Sequence, residues 1–166
     1  MTLIINEVYS LRPLEERDWS FLKKVYASTR ENEMKMLSHW TAEMIEAFVN
    51  QQFEAQHFHY QKFYIGADFW VIYKDDLPIG RLYFHENHEE NNSRIIDISI
   101  LPEYRNKGIG RKILTDILSQ AQRENKKVSI HVEAFNPAMK LYESLGFEKI
   151  SETNGVNFLF EWKPKY

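Results

Sequence analysis

The stretch Ile96-Asp-Ile-Ser-Ile-Leu-Pro-Glu-Tyr-Arg-Asn-Lys-Gly-Ile-Gly-Arg-Lys-Ile113 decides how the rest of the chain is read. Its first part belongs to a strand, Arg94–Leu101. Its last part opens a helix from Gly108 to about Glu124, on which Ile113, Leu114, Ile117, Leu118 and Ala121 recur at the spacing of one buried face. Between the two lies a tight turn, Arg105-x-x-Gly108-x-Gly110. Glycine at 108 and 110 lets the backbone bend and keeps side chains out of an approaching ligand's way. The first helical turn leaves backbone N–H groups unpaired at the positive end of the helix dipole. Arg105, Lys107, Arg111 and Lys112 add positive charge around it. Such a turn suits an anion, phosphate above all. It is not a Walker A loop, which needs Gly-x4-Gly-Lys-Ser/Thr. Nor is it a dinucleotide fingerprint, whose third glycine would fall where Ile113 stands.

Outward from this segment the chain alternates short strands and amphipathic helices. Upstream, Val8–Arg12 reads as an opening strand closed by Pro13. A helix follows from about Asp18, with Trp19, Leu22, Val25 and Tyr26 on one face. Thr41 is placed to cap a second helix, on which Met44, Ile45, Phe48 and Val49 form an apolar stripe. Phe69–Tyr73 and Ile79–Phe84 read as a hairpin around Lys74-Asp75-Asp76, and His85–Ser93 as a polar connection. Downstream come a strand at Val128–Val132, a helix at Pro137–Leu145 stopped by Gly146, and a hairpin of Phe147–Ile150 with Val156–Trp162 around Asn154-Gly155. The order predicts a mixed sheet flanked by helices.

The chain has 166 residues, 43% apolar and 27% charged, and shows no repeat or linker, so one domain over residues 1–166 is expected. It contains no cysteine, which excludes disulfides, thiolate metal ligands and a cysteine nucleophile together. No apolar run reaches membrane-spanning length and the first ten residues lack a signal-peptide layout, so a cytoplasmic location without membrane partners is expected. Aromatic residues number 24, of which sixteen precede residue 91. Residues 1–93 carry a net charge of −6 and residues 94–166 a net charge of +3. That balance argues against a nucleic-acid partner. It suggests a bipartite site whose basic half takes an anion and whose acidic half takes something cationic.

A second stretch, Asn136-Pro-Ala-Met-Lys-Leu-Tyr142-Glu-Ser-Leu-Gly-Phe147, covers a short helix and its stop. Taken with Arg105-x-x-Gly108-x-Gly110, it resembles the GNAT superfamily of acyl-CoA-dependent N-acetyltransferases, over about residues 69–162. The first stretch is similar to that family's pyrophosphate turn. The second is similar to its Ala-x-x-Leu-Tyr-x-x-x-Gly-Phe signature, here Ala138, Leu141, Tyr142, Gly146 and Phe147. In one departure, Phe135 stands where many members have asparagine, and Asn136 follows it.

The resemblance implies an α/β GNAT fold, a mixed and mostly antiparallel sheet flanked by helices, with a splayed central strand pair. It implies acetyl-CoA as acyl donor, with CoA as product and no metal. The pantetheine arm would pair with the backbone of Ile98, Ser99 and Ile100. The pyrophosphate would lie on Arg105, Asn106, Lys107, Gly108, Ile109 and Gly110, with Asn136 nearby. An amine would attack the thioester directly, and Tyr142 matches the family's general acid for the leaving thiolate. For the general base, Asp97 is the carboxylate preferred, with His131, Glu133 or a water as the other routes. The expected acceptor is a primary amine of a small molecule, cationic in view of the acidic first half, or of a peptide. A protein N-terminal or lysine acetyltransferase and a non-catalytic acyl-CoA-binding module are the rival readings, and a homodimer is among the assemblies left open. His85-Glu-Asn-His88-Glu-Glu is read as a connection rather than a metal site, and His57, His59 and the aromatics through Trp70 as core in the main.

Overall fold

The structure is a computed structural model that describes residues 6–166. Its seven strands are β1 (Ser10–Pro13), β2 (Asp68–Lys74), β3 (Leu77–Glu89), β4 (Asn92–Ile100), β5 (Lys127–Glu133), β6 (Glu148–Thr153) and β7 (Asn157–Trp162), and its helices α1 (Trp19–Met34), α2 (Ala42–Phe63), α3 (Ile109–Glu124) and α4 (Met139–Ser144). The strands form one sheet in the order β1-β2-β3-β4-β5-β7-β6. Every neighbouring pair is antiparallel except β4–β5, the parallel pair that α3 joins. This is the mixed, mostly antiparallel sheet flanked by helices that the resemblance led one to expect. No helix among the described residues is long and apolar enough to cross a membrane.

Two apolar layers hold the helices to the sheet. On one face Ile109, Ile113, Leu114, Ile117, Leu118 and Ala121 of α3 meet Ile72, Leu82, Ile95 and Ile130, and Tyr142 and Phe147 close the end of this layer. On the other face Leu22 and Tyr26 of α1 pack with Val49 and Phe53 of α2. The stripes read on α1 and α3 are thus the buried ones. The stripe read on α2 is corrected: Val49 is buried, Ile45 and Phe48 are half-buried and Met44 is exposed. The burying face of α2 runs on through Val49, Phe53 and His57, and Met44 lies a turn before the helix reaches the core.

Turn chemistry fixes the hairpins. Asp75 and Asp76 both have positive φ between Lys74 and Leu77, and so do Asn154 and Gly155 in the last hairpin. The opening strand is Ser10–Pro13 rather than Val8–Arg12; Pro13 is tolerated in it because β1 is an edge strand with β2 as its one neighbour. The expected polar connection His85–Ser93 is instead mostly strand. β3 continues to Glu89, β4 begins at Asn92, and the reversal between them has Asn91 at φ 55°. The helix expected over Pro137–Leu145 narrows to Met139–Ser144 and does stop at Gly146, which has φ 98°.

At Gly80, β3 and β4 lie so close that a Cβ would stand 2.2 Å from the carbonyl oxygen of Ser99. Gly80→Ala must therefore displace β4 backbone beside the gap described below. The expected loss is about 2 kcal/mol of unfolding free energy, in the range of core overpacking, read as a lower urea midpoint at unchanged m.

Candidate active site

The central observation is where the β4–β5 ladder ends. It runs for four rungs, from Asn92↔Lys127 to Ile95↔Ile130. Beyond it β4 stays paired with β3 as far as Ile100, and β5 with β7 as far as Glu133. Each strand is held on its outer side while the inner edges part. The backbone of Ile98 and Ser99 lies along the free edge of β4, but the Ile100 carbonyl already accepts from Arg105 Nε at 2.7 Å.

A bulge sets which side chains face the gap. Tyr83 pairs with Asp97 and Phe84 with Ile95, leaving Ile96 without a partner on β3. The extra residue brings Arg94, Asp97 and Ser99 onto one face, opposite His85, Tyr83 and Arg81 respectively. This is the face covered by α1 and α2, since Arg81 Nη2 donates to Gln56 of α2 at 2.8 Å.

At the open end of β4 the chain passes through the turn at Arg105 and enters α3. Asn106 has φ 59° and Gly108 φ 82°, both left-handed. The first α-type bond is Lys112 N–H to the Gly108 carbonyl, and no cap side chain serves the helix. The N–H groups of residues 106–111 therefore find no acceptor among the described residues. Such orphan donors seek an anion. Arg105, exposed, reaches back to Ser28 of α1 at 3.4 Å, and Lys107 Nζ stands 5.8 Å from the Tyr104 ring centroid.

Tyr142 lies on α4 and is 4% exposed. Burial pushes its phenol pKa well above the ordinary value, and the Asp97 carboxylate adds to the rise. Asp97 itself has both oxygens in use: one accepts from Arg81 Nη2 and the other from Ser99 Oγ at 2.7 Å. Arg81 is 1% exposed. Burial works against its charge, but Asp97 and the facing phenols of Tyr83 and Tyr60 outweigh it and hold its pKa above the usual guanidinium value. Burial likewise raises Tyr83, to about 12. His131, the first residue of β5 beyond the last rung, is exposed at its edge, and partial desolvation and the charges of Arg94 and His88 lower its imidazole pKa. Glu133 accepts from Arg30 at 3.3 Å. Asn136 serves first as a turn residue, its Oδ1 accepting from Ala138 N–H at 2.9 Å.

Sequence reasoning singled out Tyr142, Asp97 and the glycine turn: Asp97 stands on β4 beyond the last rung, the turn follows the end of β4, and Tyr142, in the α3-side layer, is within electrostatic reach of Asp97. It missed Arg81 and Arg94. Arg81 was hidden inside an otherwise apolar strand, and its signal was the lone charge in Ile-Gly-Arg-Leu-Tyr-Phe. Of the doubtful histidines, His57 is buried among Trp19, Phe53 and Tyr83, whereas Phe58 and Phe63 are exposed. His85 bonds the Ile65 carbonyl at 3.0 Å, and among the described residues no group of three or more His, Asp or Glu is arranged to hold a metal ion.

Comparison with known proteins gives this geometry its family. The model of the Acetyltransferase (GNAT) family matches residues 17–147. The chain belongs to that family. It is similar to N-alpha-acetyltransferase 50 of Danio rerio, 29% identical over 85 residues. That match covers 48% of this chain and 51% of the relative, so the chain spans about half the length of the curated relative it matches. Among solved structures, the PaiA N-acetyltransferase of Thermoplasma acidophilum, in complex with coenzyme A, superposes with a TM-score of 0.68 at 19% identity over 93% of this chain and 98% of that one. A spermidine N-acetyltransferase chimera from Vibrio cholerae and hSSAT gives 0.61 at 21% identity over 93% and 94%. The likeness of both is one of fold.

Gly108→Ala tests the turn. A Cβ there meets nothing within 4 Å, so the penalty is the left-handed backbone alone, about 1–2 kcal/mol. CoA affinity measured by calorimetry should fall roughly tenfold, in line with that strain, while Gly155→Ala, equally left-handed but remote, leaves it unchanged.

Proposed function

We propose that this chain transfers the acetyl group of acetyl-CoA to a primary amine of a small molecule, the two substrates meeting in one ternary complex. The single observation that supports this most is the parting of β4 and β5 beside a loop of unpaired N–H groups. The donor set fits the donor substrate: the N–H groups of residues 106–111, with Arg105 and Lys107 beside them, suit a pyrophosphate. The free edge at Ile98 and Ser99 suits an amide-bearing arm added like a strand, and Asn136 Nδ2 and the Ile100 backbone complete the binding surface. When bound, acetyl-CoA supplies the thioester carbonyl that the amine attacks and leaves as the thiolate of CoA.

Tyr142 serves the leaving sulfur. Its raised pKa keeps the phenol protonated, so a donor is always present. Complete transfer to a thiolate whose conjugate acid lies near ~8.5 runs uphill, so its contribution is a hydrogen bond that strengthens as charge develops on sulfur, worth roughly 10²-fold or more. Tyr142→Phe should therefore lower kcat about 100-fold with acetyl-CoA affinity nearly unchanged. Wild-type turnover in that variant would remove the role.

The amine must shed a proton. Asp97 is the carboxylate of the site, held by Arg81 and Ser99. His131 stands across the gap with a depressed pKa, so it is neutral and able to accept at neutral pH. We assign proton removal to His131 and the orientation of the site to Asp97. A base with a lowered pKa is active above that pKa, so the acidic limb of kcat/KM should lie below pH ~6.5. His131→Gln should abolish that limb, whereas Asp97→Asn should lower the rate and leave its position. The reverse pattern would return the role to Asp97.

The acceptor itself is tested by incubating the protein and acetyl-CoA with amino acids, polyamines, aminoglycosides and peptides, read by mass spectrometry. Tight CoA binding without acceptor-dependent CoA release would overturn the proposal. The likeness to N-alpha-acetyltransferase 50 favours a second reading, acetylation of a protein N-terminus, which the peptides in that panel would reveal.

A further inference from the structure

Three arginines and two carboxylates stand on the α1/α2 face around the parted strands. Arg81 pairs with Asp97 and Arg30 with Glu133. Arg94 is left over. It is 7% exposed, and its Nε donates to Ser129 Oγ at 2.8 Å on the last rung but one of the β4–β5 ladder. No carboxylate pairs with it among the described residues, and no acceptor takes either Nη. Neither Nη is among the sealed, unpartnered polar atoms of the described residues.

A guanidinium this buried and without a counter-ion is costly unless something anionic completes it. Its neighbours do not. His88 and His131, whose imidazoles Arg94 helps to hold neutral, carry no negative charge. Ser129, its one partner, gives Arg94 a neutral oxygen and donates onward to Asn92 Oδ1 at 3.2 Å. The bulge at Ile96 keeps Arg94 on the same face of β4 as Asp97, and its charge is felt by His131, the first residue of β5 beyond the ladder.

Building on the acetyl-transfer reading, we propose that Arg94 binds a carboxylate of the acceptor, which is then an amino-carboxylate such as a free amino acid rather than a polyamine. Arg94 is a specificity-determining residue in this account. Its planar fork suits a carboxylate bidentately, with Nε kept in place by Ser129.

The test compares each of several amino acids with its carboxamide and with the decarboxylated amine, alongside spermidine, in wild type, Arg94→Gln and Arg94→Lys. Melting temperature and CoA affinity check that the variants remain folded. Binding of the amino acid to the protein–CoA complex by calorimetry adds a readout that needs no turnover. In wild type, KM for the acid should be at least tenfold lower than for its amide. Arg94→Gln should collapse that preference and weaken amino-acid binding to the CoA complex by 10- to 100-fold, while Arg94→Lys retains part of it. Equal use of acid and amide by wild type, or a preference that survives Arg94→Gln, overturns the proposal and leaves acetyl transfer standing. Failure of every amine to release CoA overturns the transfer reading and this inference with it.

Discussion

The structure depends on a sheet that is continuous everywhere except along one half-seam. β4 and β5 share four rungs and then separate, each gripped on its far side by an antiparallel partner. Buried backbone N–H and C=O groups are nearly always paired, so an inner edge without a ladder is an unfilled requirement. α3 places a second unfilled requirement next to it, the uncapped N–H groups of residues 106–111. One ligand carrying both amides and a pyrophosphate answers both. Gly80 allows the close β3–β4 approach that secures the outer grip at Ser99, and Gly108 allows the turn. The two glycines thus act on the two sides of the same gap.

Electrostatics then divide the opened strands. The Arg81–Asp97 pair is largely buried, and a buried ion pair is weak evidence of stability because desolvation offsets much of the attraction. Its value here is positional. Arg81 donates through Nη2 to both Asp97 and Gln56, while among the described residues its Nε and Nη1 and the Tyr83 hydroxyl have no hydrogen-bond partner. A network left partly unsatisfied is poor stabilising material. That such a network sits behind Asp97, whose charge reaches Tyr142, ties it to the site rather than to the core.

Elements with strong local chemistry were legible in the sequence. The Asp75-Asp76 and Asn154-Gly155 turns and the buried stripe of α3 needed no tertiary information, because backbone preference or a 3.6-residue period determines them. His85–Ser93 was illegible for the opposite reason. There β3 and β4 run past the core, and a strand with partly exposed polar residues looks like a loop. The bulge did leave a trace: the doublet Ile95-Ile96 interrupts the alternation that Asp97, Ile98, Ser99 and Ile100 then resume. Arg94 left none. Its meaning depends on which carboxylates are already paired, and that is a property of the assembled face.

The charge split along the chain is a coarser signal. An acidic first half suggested a cationic acceptor, yet the net charge of a segment is not the field at a site. Most acids before residue 94 lie on solvated surfaces, where screening leaves little of their reach. On the face beside the parting stand Asp97 and Glu133, each engaged by an arginine, and Arg94, one rung inside the ladder, which is not. Two unit charges on the order of 6 Å apart at an effective dielectric near ~20 interact by about 3 kcal/mol. A polyamine would bring its further cations against that repulsion. An amino-carboxylate turns the same charge into attraction, and its carboxylate cancels the field that would otherwise oppose the ammonium group on arrival. Arg94 therefore weighs more in choosing the acceptor than the surplus of acids before it.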